Sequence, residues 1–288
     1  HGGGGRGDGA HAMNWTRSHL QGQAGDLAVY DAPTPQPARA TVLIVHGLGE
    51  HAGRYDPVAT ALHAAGYAVR AYDHQGHGRS EGARGTLHTP DGLLQDLARV
   101  IDDTRAQAPE RPLVLLGHSM GGLLAARAVA TQLRPVQALV LSSPALGVRT
   151  NAVQKWLLAT LPRWLPHLTV GNRLDAQWVA RDPDVVRAYL ADPLVHDRIS
   201  ARLGAWIAHE GPPTVAAAAQ WQTPTLLLYA GQDKLVDPAA SDAFARQAPA
   251  GYVQAHRFEP MYHEVFHDPE REQVLALLRR WLDARFSA

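Results

Sequence analysis

Short, nearly continuous apolar runs alternate along the chain with stretches whose apolar residues recur every three or four positions. The runs at Thr41–His46, Tyr67–Asp73, Pro112–Gly117, Val136–Ser142, Thr225–Ala230 and Tyr252–Phe258 predict strands. The periodic stretches near Tyr55–Ala65, Gly92–Ala108, Gly121–Gln132, Pro238–Gln247 and Glu270–Phe286 predict helices. Strands that are apolar throughout, rather than every second residue, belong in a sheet covered on both faces. This rhythm predicts an α/β fold with a mostly parallel central sheet flanked by helices. Two earlier extended segments, Trp15–Leu20 and Asp26–Asp31, flank Gly22 and Gly25 and predict an antiparallel hairpin at the sheet edge.

The rhythm breaks at residues 147–213. This stretch is rich in Trp, Leu and Arg, is punctuated by Pro162, Pro166, Pro183 and Pro193, and shows no convincing strand. Trp156 and Arg163 share a helical row with Ala152 and Ala159, with Leu157, Leu161 and Trp164 beside it. A helical cap inserted between two strands is expected, lying over the C-terminal edge of the sheet where open α/β folds bind ligands. The chain then divides into core residues 13–146, cap residues 147–213 and core residues 214–288.

Composition narrows the function. The 288 residues carry 27 basic and 27 acidic side chains, 45% hydrophobic residues and no cysteine. Zero net charge gives no electrostatic footprint for nucleic acid or an anionic membrane. Without cysteine there is no disulfide, thiolate nucleophile or Cys-ligated metal. Lys155 and Lys234 are the only lysines, a bias expected of a GC-rich, bacterial genome. Residues 1–12 are Gly-rich with no apolar core, and are expected to be an expression-tag remnant before a native start at Met13. A cytoplasmic protein is expected, with no run long enough to span a bilayer.

The most specific motif is Gly117-His118-Ser119-Met120-Gly121, between a predicted strand and a predicted helix. In that context Gly-x-Ser-x-Gly is a nucleophile elbow presenting Ser119 above the sheet. A serine hydroxyl needs a base, and the base an orienting acid, following in the order Ser, acid, His. Asp233 comes directly after the strand Thr225–Ala230, whereas Asp237 precedes Pro238 and is expected to cap a helix. After the last strand, His263 and His267 share one loop; His263, nearer the strand end, is expected to be the base. His267 is left as a substrate contact, a capping residue or a support for the base. An oxyanion hole is expected from the backbone N–H groups of Met120 and of Leu48, between Gly47 and Gly49. His46, His51, His74 and His77 lack the helical spacing and acidic partner of a zinc site, so neither metal nor cofactor is expected.

Five blocks together resemble the α/β-hydrolases, and more narrowly the monoacylglycerol lipase and lysophospholipase branch of the S33 type. They are His46-Gly-Leu-Gly-Glu-His-Ala-Gly-Arg-Tyr55, Tyr72-Asp-His-Gln-Gly-His-Gly-Arg-Ser-Glu-Gly82, Gly117 to Gly122, Tyr229 to Pro238, and Tyr262 to Arg271. The resemblance implies a serine ester hydrolase in which Glu50 and Arg54 help place a glycerol head group; a local salt bridge is the alternative for both. It implies that Asp73, His74 and His77 are scaffold. A single-chain lipid ester such as a monoacylglycerol is the expected substrate, its chain in an apolar tunnel lined by Trp156, Leu161 and Trp164. A short-chain carboxylesterase, a lysophospholipase, a thioesterase and a non-catalytic ligand receptor are the alternatives. An apolar cap is compatible with transient membrane or micelle contact; the oligomeric state is not written in the sequence.

Overall fold

The computed structural model describes residues 13–172 and 174–287; the stretch expected to be a tag lies outside them. The hairpin β1 (Thr16–Gly22) and β2 (Gly25–Asp31) opens the chain, with Thr16 opposite Asp31 and Gly22 opposite Gly25. The parallel strands are β3 (Thr41–Val45), β4 (Ala68–Tyr72), β5 (Leu113–His118) and β6 (Ala138–Ser142). A two-stranded ribbon follows, β7 (Thr169–Gly171) with β8 (Arg198–Ser200), before β9 (Thr225–Ala230) and β10 (Val253–Phe258). The main sheet has the order β1-β2-β4-β3-β5-β6-β9-β10, parallel from β4 to β10 and antiparallel at the β1–β2–β4 edge.

Period-two alternation sorts the side chains of each central strand to opposite faces. Leu43 and Val45 of β3 join Leu113 and Leu115 of β5 in one core. Val42 and Ile44 join Val114 and Leu116 in the other. Helices α2 (Gly92–Gln107), α3 (Met120–Ala130) and α7 (Pro238–Gln247) cover the first face; α1 (Asp56–Ala64) and α8 (Arg271–Asp283) cover the second. Strand β10 departs from the expected all-apolar pattern, because it is the sheet's edge and half of its side chains face water.

Between β6 and β9 lie α4 (Ala152–Trp164), α5 (Pro183–Ala191) and α6 (Ala201–Ala217), together with the β7–β8 ribbon. Two features depart from the expected cap. The ribbon was not anticipated, since each strand is three residues long and its partner is nearly thirty residues away. The boundary expected at residue 213 falls inside α6, which continues through Pro212 and Pro213. Leu203, Trp206 and Ile207 of this helix enter the first core, and a Cβ on Gly211 would meet the Leu146 carbonyl oxygen at 2.2 Å. Packing therefore overrides the local proline signal, and the Thr214 hydroxyl donates to the Glu210 carbonyl at 2.7 Å. No helix among the described residues is long and apolar enough to cross a membrane.

Candidate active site

Strand β5 ends at His118, and the chain turns at Ser119 into α3. Ser119 has φ 55° and ψ −117°, a left-handed conformation that costs a non-glycine residue about 1–3 kcal/mol and persists where surrounding packing enforces it. The enforcing contacts are visible. A Cβ on Gly121 would sit 2.1 Å from the Val45 carbonyl oxygen, and one on Gly117 2.4 Å from that of Gly121. The Ser119 carbonyl accepts from the N–H groups of Leu123 (3.0 Å) and Ala145 (2.9 Å).

The next two groups arrive on the loops after β9 and β10. Asp233 is buried, and its Oδ1 accepts the N–H groups of Leu235 (2.8 Å) and Val236 (3.0 Å). That leaves Oδ2 facing His263 Nδ1 at 2.7 Å. An imidazole that donates from Nδ1 to a carboxylate keeps Nε2 as its acceptor. Ser143, itself at φ 39°, fixes the His263 backbone by donating its hydroxyl to the His263 carbonyl at 2.7 Å. Burial would lower the His263 pKa, but the Asp233 carboxylate outweighs it and, with Glu264 and Glu50, holds it above the ordinary imidazole value. His118, its ring 4.8 Å from that of His263, moves the other way: burial and the neighbouring imidazole push it down to about 4.

Ser119 and His263 open into one cleft of about 600 Å³, counting its mouth. Leu48, Met120, Ala145, Val148, Leu174, Val179, Ile207, Leu235 and Val236 make its walls largely apolar. The N–H groups of Leu48 and Met120 have no backbone acceptor among the described residues. At the polar end stand Glu50, Glu264 and Tyr189.

The other residues singled out in the sequence divide clearly. Glu50 lines the cleft, whereas Arg54 lies behind it with its guanidinium taken up by carboxylates: Nη1 donates to Glu50 (2.8 Å) and Glu264 (2.6 Å), and Nη2 to Glu264 (2.7 Å). His267 also sits behind, its Nδ1 against Glu264 Oε1 at 2.8 Å and its Nε2 against the Arg54 carbonyl at 2.9 Å. Trp156, Leu161 and Trp164 do not line the cleft, which corrects the expected tunnel wall. Trp156 is 64% exposed and Trp164 82% exposed. One stripe of α4 packs on α6, with Leu158 beside Gly204, and the two tryptophans point away from that stripe. Asp237 caps α7 by accepting the Ala239 N–H at 3.0 Å. Asp73 holds Ala52, Tyr30 and Arg79, and the rings of His46 and His74 meet at a tilt of 57° with centroids 4.2 Å apart, the His74 backbone N–H donating to His46 Nε2, so these side chains brace the loops beneath the cleft.

Glu264, Tyr189, His118 and Ser143 were not singled out from sequence. Glu264 is adjacent to His263, but its partner Arg54 is 210 positions away, a pairing that no local pattern carries.

The sequence profile of the serine aminopeptidase S33 family matches residues 36–270. The chain belongs to this family. Its fold is that of the α/β-hydrolases. Among its relatives, the monoacylglycerol lipase of Mycolicibacterium smegmatis is 36% identical over 93% of this chain and 97% of its own length. Phospholipase YtpA of Bacillus subtilis is 33% identical over 85% of this chain and 95% of its own. The crystal structure of a Paleococcus ferrophilus monoacylglycerol lipase superposes with a TM-score of 0.80 at 33% identity, covering 94% of this chain and 99% of that one.

Proposed function

We propose that the chain is a serine hydrolase of single-chain lipid esters, cleaving monoacylglycerol to fatty acid and glycerol. The observation that carries this reading is the strained Ser119 elbow sharing an apolar cleft with a histidine whose Nδ1 is held by Asp233 at 2.7 Å. Ser119 is the nucleophile, His263 the general base and then acid, and Asp233 the group that orients it and stabilises the imidazolium. His263 Nε2 takes the Ser119 proton as Oγ attacks the ester carbonyl, and the Leu48 and Met120 N–H groups bind the developing oxyanion. The imidazolium protonates the leaving alcohol, and water activated by the same nitrogen releases the fatty acid.

The cleft favours an apolar acyl chain on one side and a small neutral alcohol on the other. The Arg54 guanidinium is already taken up by two carboxylates, so a phosphate head group would meet Glu50 and Glu264 rather than a free cation. An α-ammonium group, as an aminopeptidase needs, finds both carboxylates engaged: Glu50 by Arg54, Tyr55 and the Gly47 N–H, and Glu264 by Arg54 and His267. The relatives named monoacylglycerol lipase support the same choice. The segment from α4 to α6, between β6 and β9, acts as the cap, and the exposed Trp156 and Trp164 on α4 suit brief contact with a membrane or micelle from which the substrate is drawn.

The test is a panel of monoacylglycerols, lysophospholipids, short p-nitrophenyl esters and aminoacyl amides, compared by kcat/KM with a Ser119→Ala control. A monoacylglycerol preference of tenfold or more over the other classes, about 1.4 kcal/mol of transition-state discrimination, is expected. Ser119→Ala should lose roughly 10⁴–10⁶ in kcat. A lysophospholipid or amide preference overturns the substrate, and turnover by Ser119→Ala overturns the mechanism.

A further inference from the structure

The loop bearing His263 and the loop bearing Leu48 are joined by a buried ionic chain. The Gly47 N–H donates to Glu50 Oε2 at 2.8 Å, as does the Tyr55 hydroxyl at 2.6 Å. Glu50 Oε1 accepts Arg54 Nη1 at 2.8 Å, and Arg54 closes a two-pronged pair on Glu264 at 2.6 and 2.7 Å. The side chains of Arg54, Glu50 and Glu264 are 9%, 4% and 6% exposed. At its other end Glu264 donates its backbone N–H to the Val179 carbonyl at 2.8 Å, in the segment between β6 and β9.

We propose that Glu264 is a positioning residue that, through Arg54 and Glu50, locks the His263 loop to the Leu48 loop and so fixes the base and the oxyanion donor relative to one another. The inference rests on the reading of Ser119, Asp233 and His263 as the reacting groups. Its physical basis is that acyl transfer needs His263 Nε2 and the Leu48 N–H at set distances from Ser119 at the same moment, although the two loops lie more than 200 residues apart in sequence. A planar guanidinium between two carboxylates is a stiff connector; a lysine ammonium, a point charge on a flexible stem, is not. Glu264 does not serve as a head-group ligand, because both of its oxygens are occupied by Arg54 and His267. Its charge has a second effect. Together with Asp233 and Glu50, it favours the protonated form of His263.

Two variants of the full chain test this. Glu264→Gln keeps the shape and removes the charge. Its kcat should fall roughly 10- to 100-fold with KM within about threefold, since geometry rather than substrate affinity is lost. The acid limb of its kcat/KM profile should move to lower pH, because a less negative surrounding binds the His263 proton less tightly. Arg54→Lys keeps the charge and removes the fork, so kcat should fall with the limb unmoved; it also carries the test if Glu264→Gln fails to fold. Wild-type kcat with an unmoved limb in Glu264→Gln, or a loss confined to KM in either variant, overturns the proposal. A fluorophosphonate probe separates the two levels. Failure to label Ser119 in the wild type sinks the underlying reading, whereas equal labelling rates in wild type and both variants sink only the positioning role.

Discussion

Replacing Ser119 by glycine should leave the protein more stable than replacing it by alanine, while either change abolishes the proposed activity. Ser119 is held at φ 55° and ψ −117°, where the steric cost to a residue with a Cβ is about 1–3 kcal/mol. Glycine removes that cost but loses about 0.5–1 kcal/mol to the greater freedom of its unfolded chain. It also gives up the contacts of one half-buried carbon, a few tenths of a kcal/mol. The net gain over Ser119→Ala, which keeps the Cβ and therefore the strain, is about 1 kcal/mol. For a chain of 288 residues that corresponds to roughly 1.5–2 °C in melting temperature. Calorimetry and urea unfolding on both variants, with equal m-values to show that the denatured state is unchanged, measure the difference. Neither variant should turn over substrate. A glycine variant melting at or below the alanine variant would refute the claim that the elbow stores strain at its nucleophile.

Three further outcomes follow from the same geometry. The acid limb of the kcat/KM profile should lie above the ordinary imidazole value of about 6.5, because Asp233 raises the His263 pKa and activity is lost as falling pH protonates the base; a limb below pH 6 would contradict it. Gly121→Ala should destabilise the fold by several kcal/mol, or distort the elbow and abolish labelling of Ser119, since its Cβ would lie 2.1 Å and 2.3 Å from two backbone oxygens; a stable, fully labelled variant would show that the strand and helix have room. Paired Trp156→Ser and Trp164→Ser substitutions should weaken sedimentation with phospholipid vesicles while leaving soluble p-nitrophenyl ester hydrolysis within about twofold, as exposed side chains contribute little to stability. Unchanged vesicle binding would remove α4 as the contact surface.

The elements that place Ser119 and Asp233 were legible because β5 and β9 are apolar runs that these residues closely follow; β10, although half of its side chains face water, still ends at Phe258 as expected and so places the loop that carries His263. The same holds for the loop Gly47–Gly49 after β3 and for Asp237 at the start of α7. What the sequence hid is non-local. Arg54 and Glu50 stood out, yet the choice between head-group contact and salt bridge turned on Glu264, whose carboxylate reaches Arg54 only because β10 returns the chain to the sheet beside β9.

The misplacement of Trp156 and Trp164 has a more general cause. An apolar helix of a sheet-packed core is covered broadly, so every large apolar residue on it reads as inward. Helix α4 has one main partner, α6, and a helix with one partner buries one stripe. Which stripe is buried depends on the partner's small residues: Gly204 lets Leu158 approach, a Cβ there lying 3.3 Å from Leu158 Cδ2, and that contact turns the tryptophans outward. The cleft is walled instead by short apolar residues from the core loops and by Val148, Leu174, Val179 and Ile207 from the intervening segment. The largest apolar side chains of α4 are therefore free to meet something outside the molecule, while residues outside α4 set the width available to an acyl chain.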